Sequence, residues 1–200
     1  METPQSHEAT ARNLASARSL SAGFSIVEIL VAITVLSIGL SAMAALVAQS
    51  LSGTERARYM AVATTLASEK LEDLNRWPST ASQVSTFGSA TAGNLSTDTA
   101  ANGNHYYDDV DLSNTNGEVS ETVATSTGYS SIDHYATGVV TPNANAAAPS
   151  GSGTMAFHRR WLIEANPVVG GVTLTGSRRI TVLVSMVNQK VNFQMSVVRP

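Results

Sequence analysis

The residues whose type and spacing could do chemistry lie at the start of one long apolar segment. Gly23 and Phe24 come first, Glu28 follows four positions after Phe24, and residues 29–47 carry no charge. A carboxylate at the edge of a membrane helix is costly and is usually paired or functional. A negative charge there also suits the N-terminal end of the helix dipole. For Glu28, the alternative to a paired or functional carboxylate is one that only reaches the lipid headgroups. For Gly23, the alternative to a functional site is a simple flexible junction.

The length of the apolar segment makes it a candidate membrane span. About 20 apolar residues cross a bilayer as a helix, and residues 24–50 reach that length. Arg12 and Arg18 precede the segment, which favours a cytoplasmic N-terminus. A secretory signal cut near Ala42-Met43-Ala44 is the alternative. The apolar core is longer than such signals need, and the helical pattern continues beyond it.

That continuation, residues 51–77, has the spacing of an amphipathic helix. Its apolar side chains recur at three- and four-residue steps, the period of one helix face. They are Met60, Ala63, Ala67, Leu71 and Leu74. Pro78 ends the pattern, because the residue before a proline is pushed out of helical geometry. The sequence therefore predicts one helix from about Phe24 to Arg76.

The segment AGFSIVEILVA, residues 22–32, closely resembles the type IV prepilin signature. In that family a membrane peptidase cuts after the glycine and methylates the new N-terminal residue. The resemblance implies that residues 1–23 are a leader removed after Gly23, that Phe24 is N-methylated, and that Glu28 is the glutamate at the fifth mature position. The pattern departs from the family at Ser21 and Ala22, since such leaders often carry Lys or Arg directly before the glycine.

The resemblance also implies a filament. Glu28 of one subunit would pair with the α-amino group of a neighbour and set the stagger between them. Apolar side chains would pack the filament core, namely Ile29, Leu30, Val31, Leu36 and Leu40. The stretch is most similar to PilV-type minor pilins and to minor pseudopilins of type II secretion. The implied partners are prepilin peptidase, other pilin or pseudopilin subunits, the inner-membrane assembly platform and the lipid bilayer.

The rest of the chain predicts an α+β fold. Residues 78–155 are rich in Ser, Thr and Asn, which indicates either an irregular region with small strands or a partly mobile excursion. Residues 157–165, 180–186 and 191–197 alternate as strands do, with a hairpin turn at Asn188-Gln189. We expect residues 156–200 to form an antiparallel sheet with one apolar face. The apolar stripe of residues 51–77 would cover that face, which matches the pilin architecture.

No motif predicts an enzyme or a cofactor site. The histidines lack metal-ligand spacing, and no phosphate loop or catalytic triad is present. An acidic cluster could hold calcium, although a solvated loop is the favoured interpretation; its members are Asp108, Asp109, Asp111, Asn114, Asn116 and Glu118. The chain has no cysteine and a net charge of −3, which argues against a broad nucleic-acid surface. Arg159-Arg160 and Arg178-Arg179 could form a small basic face on neighbouring strands.

Three functions remain open at this stage. The favoured one is a minor type IV pilin in the bacterial inner membrane, with its N-terminus inside and its C-terminus outside before assembly. After assembly it would lie in the pilus, the periplasm or at the cell surface. The alternatives are a minor pseudopilin of type II secretion and a single-pass anchored adhesion protein.

Overall fold

The computed structural model describes residues 24–112, 119–135, 137–148, 155–186 and 191–200. Met1–Leu51 and Ser52–Pro200 form two compact units. Several predictions lie outside the described residues: the leader with Gly23, the Asn188-Gln189 turn, and the part of the acidic cluster formed by Asn114, Asn116 and Glu118.

One helix, α1, spans Ile26–Arg76, which confirms the predicted single helix. Its first part belongs to the first unit. Among the described residues α1 alone is long and apolar enough to cross a membrane, with a mean hydropathy of 2.4 over its most apolar 18 residues. The hydroxyls of Thr34, Ser37 and Ser41 donate to helix carbonyls three or four residues back, at 2.7–2.8 Å. Their polar groups are therefore satisfied inside the helix, as a lipid environment requires.

The second unit contains the C-terminal part of α1, a short 3₁₀ helix at Ser82–Val84 and twelve strands among the described residues. The strands are β1 (Thr91–Gly93), β2 (Ala100–Ala101), β3 (Asn104–His105), β4 (Tyr107–Asp111), β5 (Val119–Thr125), β6 (Gly128–His134), β7 (Val140–Ala146), β8 (Ala156–Ala165), β9 (Val168–Val169), β10 (Val172–Thr173), β11 (Arg178–Met186) and β12 (Val191–Arg199).

Eight of these strands form one antiparallel sheet. Its order is β12-β11-β8-β4-β5-β6-β7, and β1 pairs with the second half of β8 beside β4. The predicted β11–β12 hairpin is confirmed by a continuous register from Arg178↔Arg199 to Met186↔Val191. The glycines at 170 and 171 turn β9 into β10, and both adopt the positive φ that glycine tolerates best.

The core lies between the sheet and the apolar stripe of α1. Ala63, Leu66, Ala67 and Leu74 are buried, and Met60, Val62 and Leu71 pack against them. The two alanines let the helix approach the sheet closely. From the sheet the core receives inward-facing side chains of four strands, namely Val110, Phe157, Trp161, Ile163, Ile180, Val182, Val184, Met186 and Val191. The predicted α+β packing of the helix stripe on an antiparallel sheet is confirmed.

The sheet begins earlier in the chain than residue 156. Strands β1 and β4 to β7 lie within 78–155, so the polar half of the chain contributes five strands to the same sheet. Their apolar alternation is hidden because charged residues take inward positions, such as Asp108 on β4 and Glu121 on β5. Asp108 and Asp109 consequently lie on a strand and not in a solvated acidic loop as favoured from sequence.

Two arginines of the sheet bind the backbone at the end of α1 and just beyond it. Arg199 Nη1 donates to the carbonyl oxygens of Asn75 at 2.8 Å and Trp77 at 2.6 Å. Arg178 Nη1 donates to the carbonyls of Ser79 and Val84. Cations at a helix C-terminus satisfy its unpaired carbonyls and complement its dipole. Strands β11 and β12 thus bind the last turn of α1 and the segment that follows it.

Candidate functional site

The first turn of α1 presents the residues to which sequence analysis assigned processing and assembly. Phe24 lies just before the helix and is 76% exposed. Glu28 is in the first turn, and its carboxylate has no ion-pair or hydrogen-bond partner among the described residues. It is also the one charged residue between positions 24 and 54. An uncompensated carboxylate is therefore fixed at one end of an otherwise uncharged helical surface.

The predicted filament-packing residues lie on the same exposed surface. Ile29, Leu30, Val31, Leu36 and Leu40 are between 48% and 61% exposed. A continuous apolar surface of this kind is unfavourable in water and marks contact with lipid or with another protein chain. Within the first unit, no described residue covers it.

One known family motif matches the segment that carries this apolar surface. The prokaryotic N-terminal methylation motif matches residues 18–44. The chain carries a type IV prepilin-like signature. Gly23, Phe24, Glu28 and all five packing residues fall inside the matched range of this signature. The prepilin motif implies processing by prepilin peptidase and, in general terms, assembly with other pilins. The long apolar helix fits membrane anchoring.

The prepilin signature covers the start of the chain only. No curated protein and no solved structure matches the chain. The similarity to PilV-type minor pilins and the roles of the individual residues therefore stay predictions. The second unit has to be interpreted from its own geometry.

A buried ion-pair network joins α1 to the inward face of the sheet. Arg159 is 0% exposed, and its Nε and Nη2 donate to the two carboxylate oxygens of Asp108 at 2.6 and 2.8 Å. Arg159 Nη2 also lies 2.9 Å from Glu121 Oε2, and Lys70 Nζ of α1 lies 2.9 Å from Asp108 Oδ2. The Lys70 ammonium sits 4.5 Å from the centroid of the Trp161 ring, within cation–π range. The network links the helix, β4, β5 and β8.

Electrostatic interactions keep Asp108 and Arg159 ionised. Burial by itself would raise the pKa of Asp108, but the charges of Arg159 and Lys70 outweigh it and hold that pKa far below the usual carboxyl range. Burial would likewise lower the pKa of Arg159, and the Asp108 and Glu121 carboxylates instead hold it above its usual value. A two-pronged Arg–carboxylate contact is among the strongest side-chain hydrogen-bonding arrangements in proteins.

A second polar cluster lies on the outer face of the sheet. His158 Nδ1 lies 2.7 Å from Asp109 Oδ1, and its Nε2 lies 2.8 Å from Asp98 Oδ1. Arg160 Nε donates to the same Asp98 oxygen at 2.7 Å. The hydrogen bond to Asp109 is the largest cause that raises the pKa of His158, with a further contribution from Asp98, while partial burial opposes it. The cluster connects the segment between β1 and β2 to β4 and β8.

The described part of the acidic cluster forms no metal site, and the four arginines do not form a single basic face. Asp108 and Asp109 point to opposite faces, and the described residues contain no group of three or more side chains that could hold a metal ion. The strands of the two arginine pairs are neighbours, as expected. The arginines have separate roles, however: Arg159 is buried on Asp108, Arg160 binds Asp98, Arg178 binds backbone carbonyls, and Arg179 binds Glu164.

Sequence reasoning missed the Asp108–Arg159 pair, although one signal was present. Arg159 shares its strand phase with Phe157, Trp161 and Ile163, so period-two alternation places it on the apolar face. An arginine almost never lies fully buried unless it is paired. A buried acidic partner could therefore have been expected, but its position could not.

Proposed function

We propose that the protein is a minor pilin subunit of a type IV pilus, anchored in the inner membrane and then incorporated in an extracytoplasmic filament or in the complex that primes it. The observation that carries the proposal is the unpartnered Glu28 carboxylate inside the methylation motif, on an exposed apolar helix. The role is structural, and no catalytic step is assigned to the chain.

Physical chemistry explains why such a subunit needs Glu28. Cleavage after Gly23 would create an ammonium group on Phe24, four residues away along the same helix end. In a packed apolar bundle, a neighbour's ammonium group is the natural partner for a carboxylate that has none in its own chain. A register without that pair would leave two charges in an apolar medium, which costs several kcal/mol. The pair would therefore select one axial stagger between subunits.

The test compares Glu28→Ala and Glu28→Gln with the wild type in the native host, with Glu55→Ala as a matched control elsewhere on α1. Membrane and sheared-filament fractions are quantified with an antibody to the second unit. We expect both Glu28 variants to insert in the membrane, and their amount in the filament to fall by about tenfold or more, because an unpaired buried charge is strongly destabilising. The control should assemble normally.

Two results would argue against the proposal. Normal incorporation of both Glu28 variants would remove the pairing role. A wild-type protein that stays in the membrane and never enters the filament fraction would instead favour a single-pass anchored adhesion protein.

A further inference from the structure

The second unit contains an open cleft between the last turns of α1 and the inward face of β5 and β6. It consists of two adjoining cavities of about 230 and 490 Å³, which share Lys70, Asp73, Glu121 and Ile132 in their walls. We call it the α1–β6 cleft. The smaller cavity has room for one long side chain, since pockets for whole drug-sized ligands usually exceed about 300 Å³.

The charge of the α1–β6 cleft is predominantly negative. Five carboxylates line it, those of Glu69, Glu72, Asp73, Asp108 and Glu121, against the two fixed cations Lys70 and Arg76. Lys70 is already engaged by Asp108. The Asp73 side chain, by contrast, has no ion-pair or hydrogen-bond partner within the described part of the chain. The cleft therefore offers an unused negative charge to an occupant.

Apolar side chains accompany that charge. Ile132 is 47% exposed, Val140 is 55% exposed, and Trp77 at the rim is 41% exposed. Exposed apolar groups rimmed by polar ones are typical of protein–protein contact sites. Arginine and tryptophan are also enriched among the residues that dominate binding energies.

We propose that the α1–β6 cleft binds an arginine or lysine side chain, flanked by apolar residues, that a neighbouring filament subunit presents. The cation would pair with Asp73 and lie against the exposed ring of Trp77, while its apolar neighbours would cover Ile132 and Val140. The identity of the occupant as a filament subunit rests on the proposed function. The recognition chemistry rests on the cleft alone.

The experiment uses the intrinsic fluorescence of the full chain in a neutral detergent. Trp77 and Trp161 are the two tryptophans of the protein, and both line the cleft, so the signal reports on this site. The probes are three peptides of equal size: acetyl-Val-Arg-Val-amide, acetyl-Val-Gln-Val-amide and acetyl-Val-Glu-Val-amide. We expect a saturable change with the arginine peptide, weakened by salt, and a much smaller response to the other two.

Asp73→Asn should raise the apparent Kd of the arginine peptide about three- to fivefold, the loss expected for one partly exposed ion pair. Glu55→Gln, also on α1 but outside the cleft, should leave the Kd unchanged. Asp73 is exposed, so its variant should keep the wild-type unfolding midpoint, which is checked on the same samples.

Equal responses to all three peptides, no response to any of them, or an Asp73→Asn protein that binds like the wild type would overturn the inference. These outcomes are distinct from failure of the proposed function. A protein that enters filaments but does not bind the arginine peptide would contradict the cleft proposal only. A protein that binds the peptide but never enters filaments would contradict the pilin proposal and leave the recognition chemistry standing.

Discussion

Arg159 shows how one residue can organise the inner face of the sheet. Its guanidinium is fully buried, with two nitrogens on Asp108 and a third 3.5 Å from the carbonyl oxygen of Leu66 on α1. A buried pair of this kind contributes little net stability over an apolar pair of the same shape. Removing one partner is different, because it leaves a charge in a medium that cannot solvate it.

Asp108→Asn should therefore lower the free energy of unfolding by about 3 kcal/mol, the lower end of the range for a broken buried pair, since Glu121 still contacts Arg159. Urea unfolding followed by tryptophan fluorescence at neutral pH measures it. Asp73→Asn, an exposed carboxylate without a partner, serves as the control and should change little. If Asp108→Asn lowers the free energy of unfolding no more than Asp73→Asn does, the Asp108–Arg159 pair contributes nothing.

The pH range of that stabilisation follows from the lowered pKa of Asp108. A carboxyl group with a depressed folded-state pKa stabilises the fold above its unfolded pKa, about 3.9. That stability is lost as the pH falls through the folded value, which lies lower still. The Asp108 contribution should consequently stay constant between about pH 5 and pH 7.

At this scale the sequence predicts some residues and not others. Gly23, Phe24 and Glu28 can be predicted because their proposed roles depend on spacing along the chain, and all three lie within the range that the methylation motif matches. Asp108 and Arg159 are 51 residues apart, and only strand pairing brings them together. No local pattern encodes that distance.

Some secondary-structure elements could likewise be predicted from the sequence, and others could not. Helix α1 was predictable from its long apolar run and from the apolar stripe of its C-terminal part, which is buried. Strands β8, β11 and β12 were predictable because their apolar residues alternate with period two. Strands β4 to β7 were not recognised as parts of the same sheet. Their inward positions include Asp108, Glu121 and Ser130, so the usual alternation of apolar and polar residues is absent.

The outer cluster around His158 makes one connection between elements sensitive to pH. Protonated His158 can donate to both Asp109 on β4 and Asp98 in the segment between β1 and β2, beside Arg160 and Tyr107. Its raised pKa means that the stabilisation is fully present below the unfolded pKa, about 6.5, and is lost as the pH rises through the higher folded value.

The wild-type protein should accordingly lose thermal stability between about pH 6 and pH 9, and His158→Gln should remove most of that dependence. Asp98→Asn should reduce it in part, because Asp109 remains. Thermal unfolding of the three proteins at both pH values provides the comparison. If the melting temperature of His158→Gln falls between pH 6 and pH 9 as much as that of the wild type, the prediction is wrong.

In the molecule as a whole, the two units differ in whether their apolar side chains are buried or exposed. Ser52–Pro200 buries an apolar core between helix and sheet, whereas Met1–Leu51 leaves the apolar side chains of its described part exposed. The apolar surface of the first unit fits membrane anchoring. The methylation motif at residues 18–44 lies on that helix, and under the proposed function cleavage and assembly would transfer the helix from the bilayer to a filament.

The most direct test of this account is the mass of the N-terminal peptide of the protein extracted from membranes or filaments of its own host. We expect a peptide that begins at Phe24 and carries one added methyl group. A peptide that begins at Met1, or near Ala45 as after an ordinary secretory signal, would contradict prepilin processing and with it the filament role.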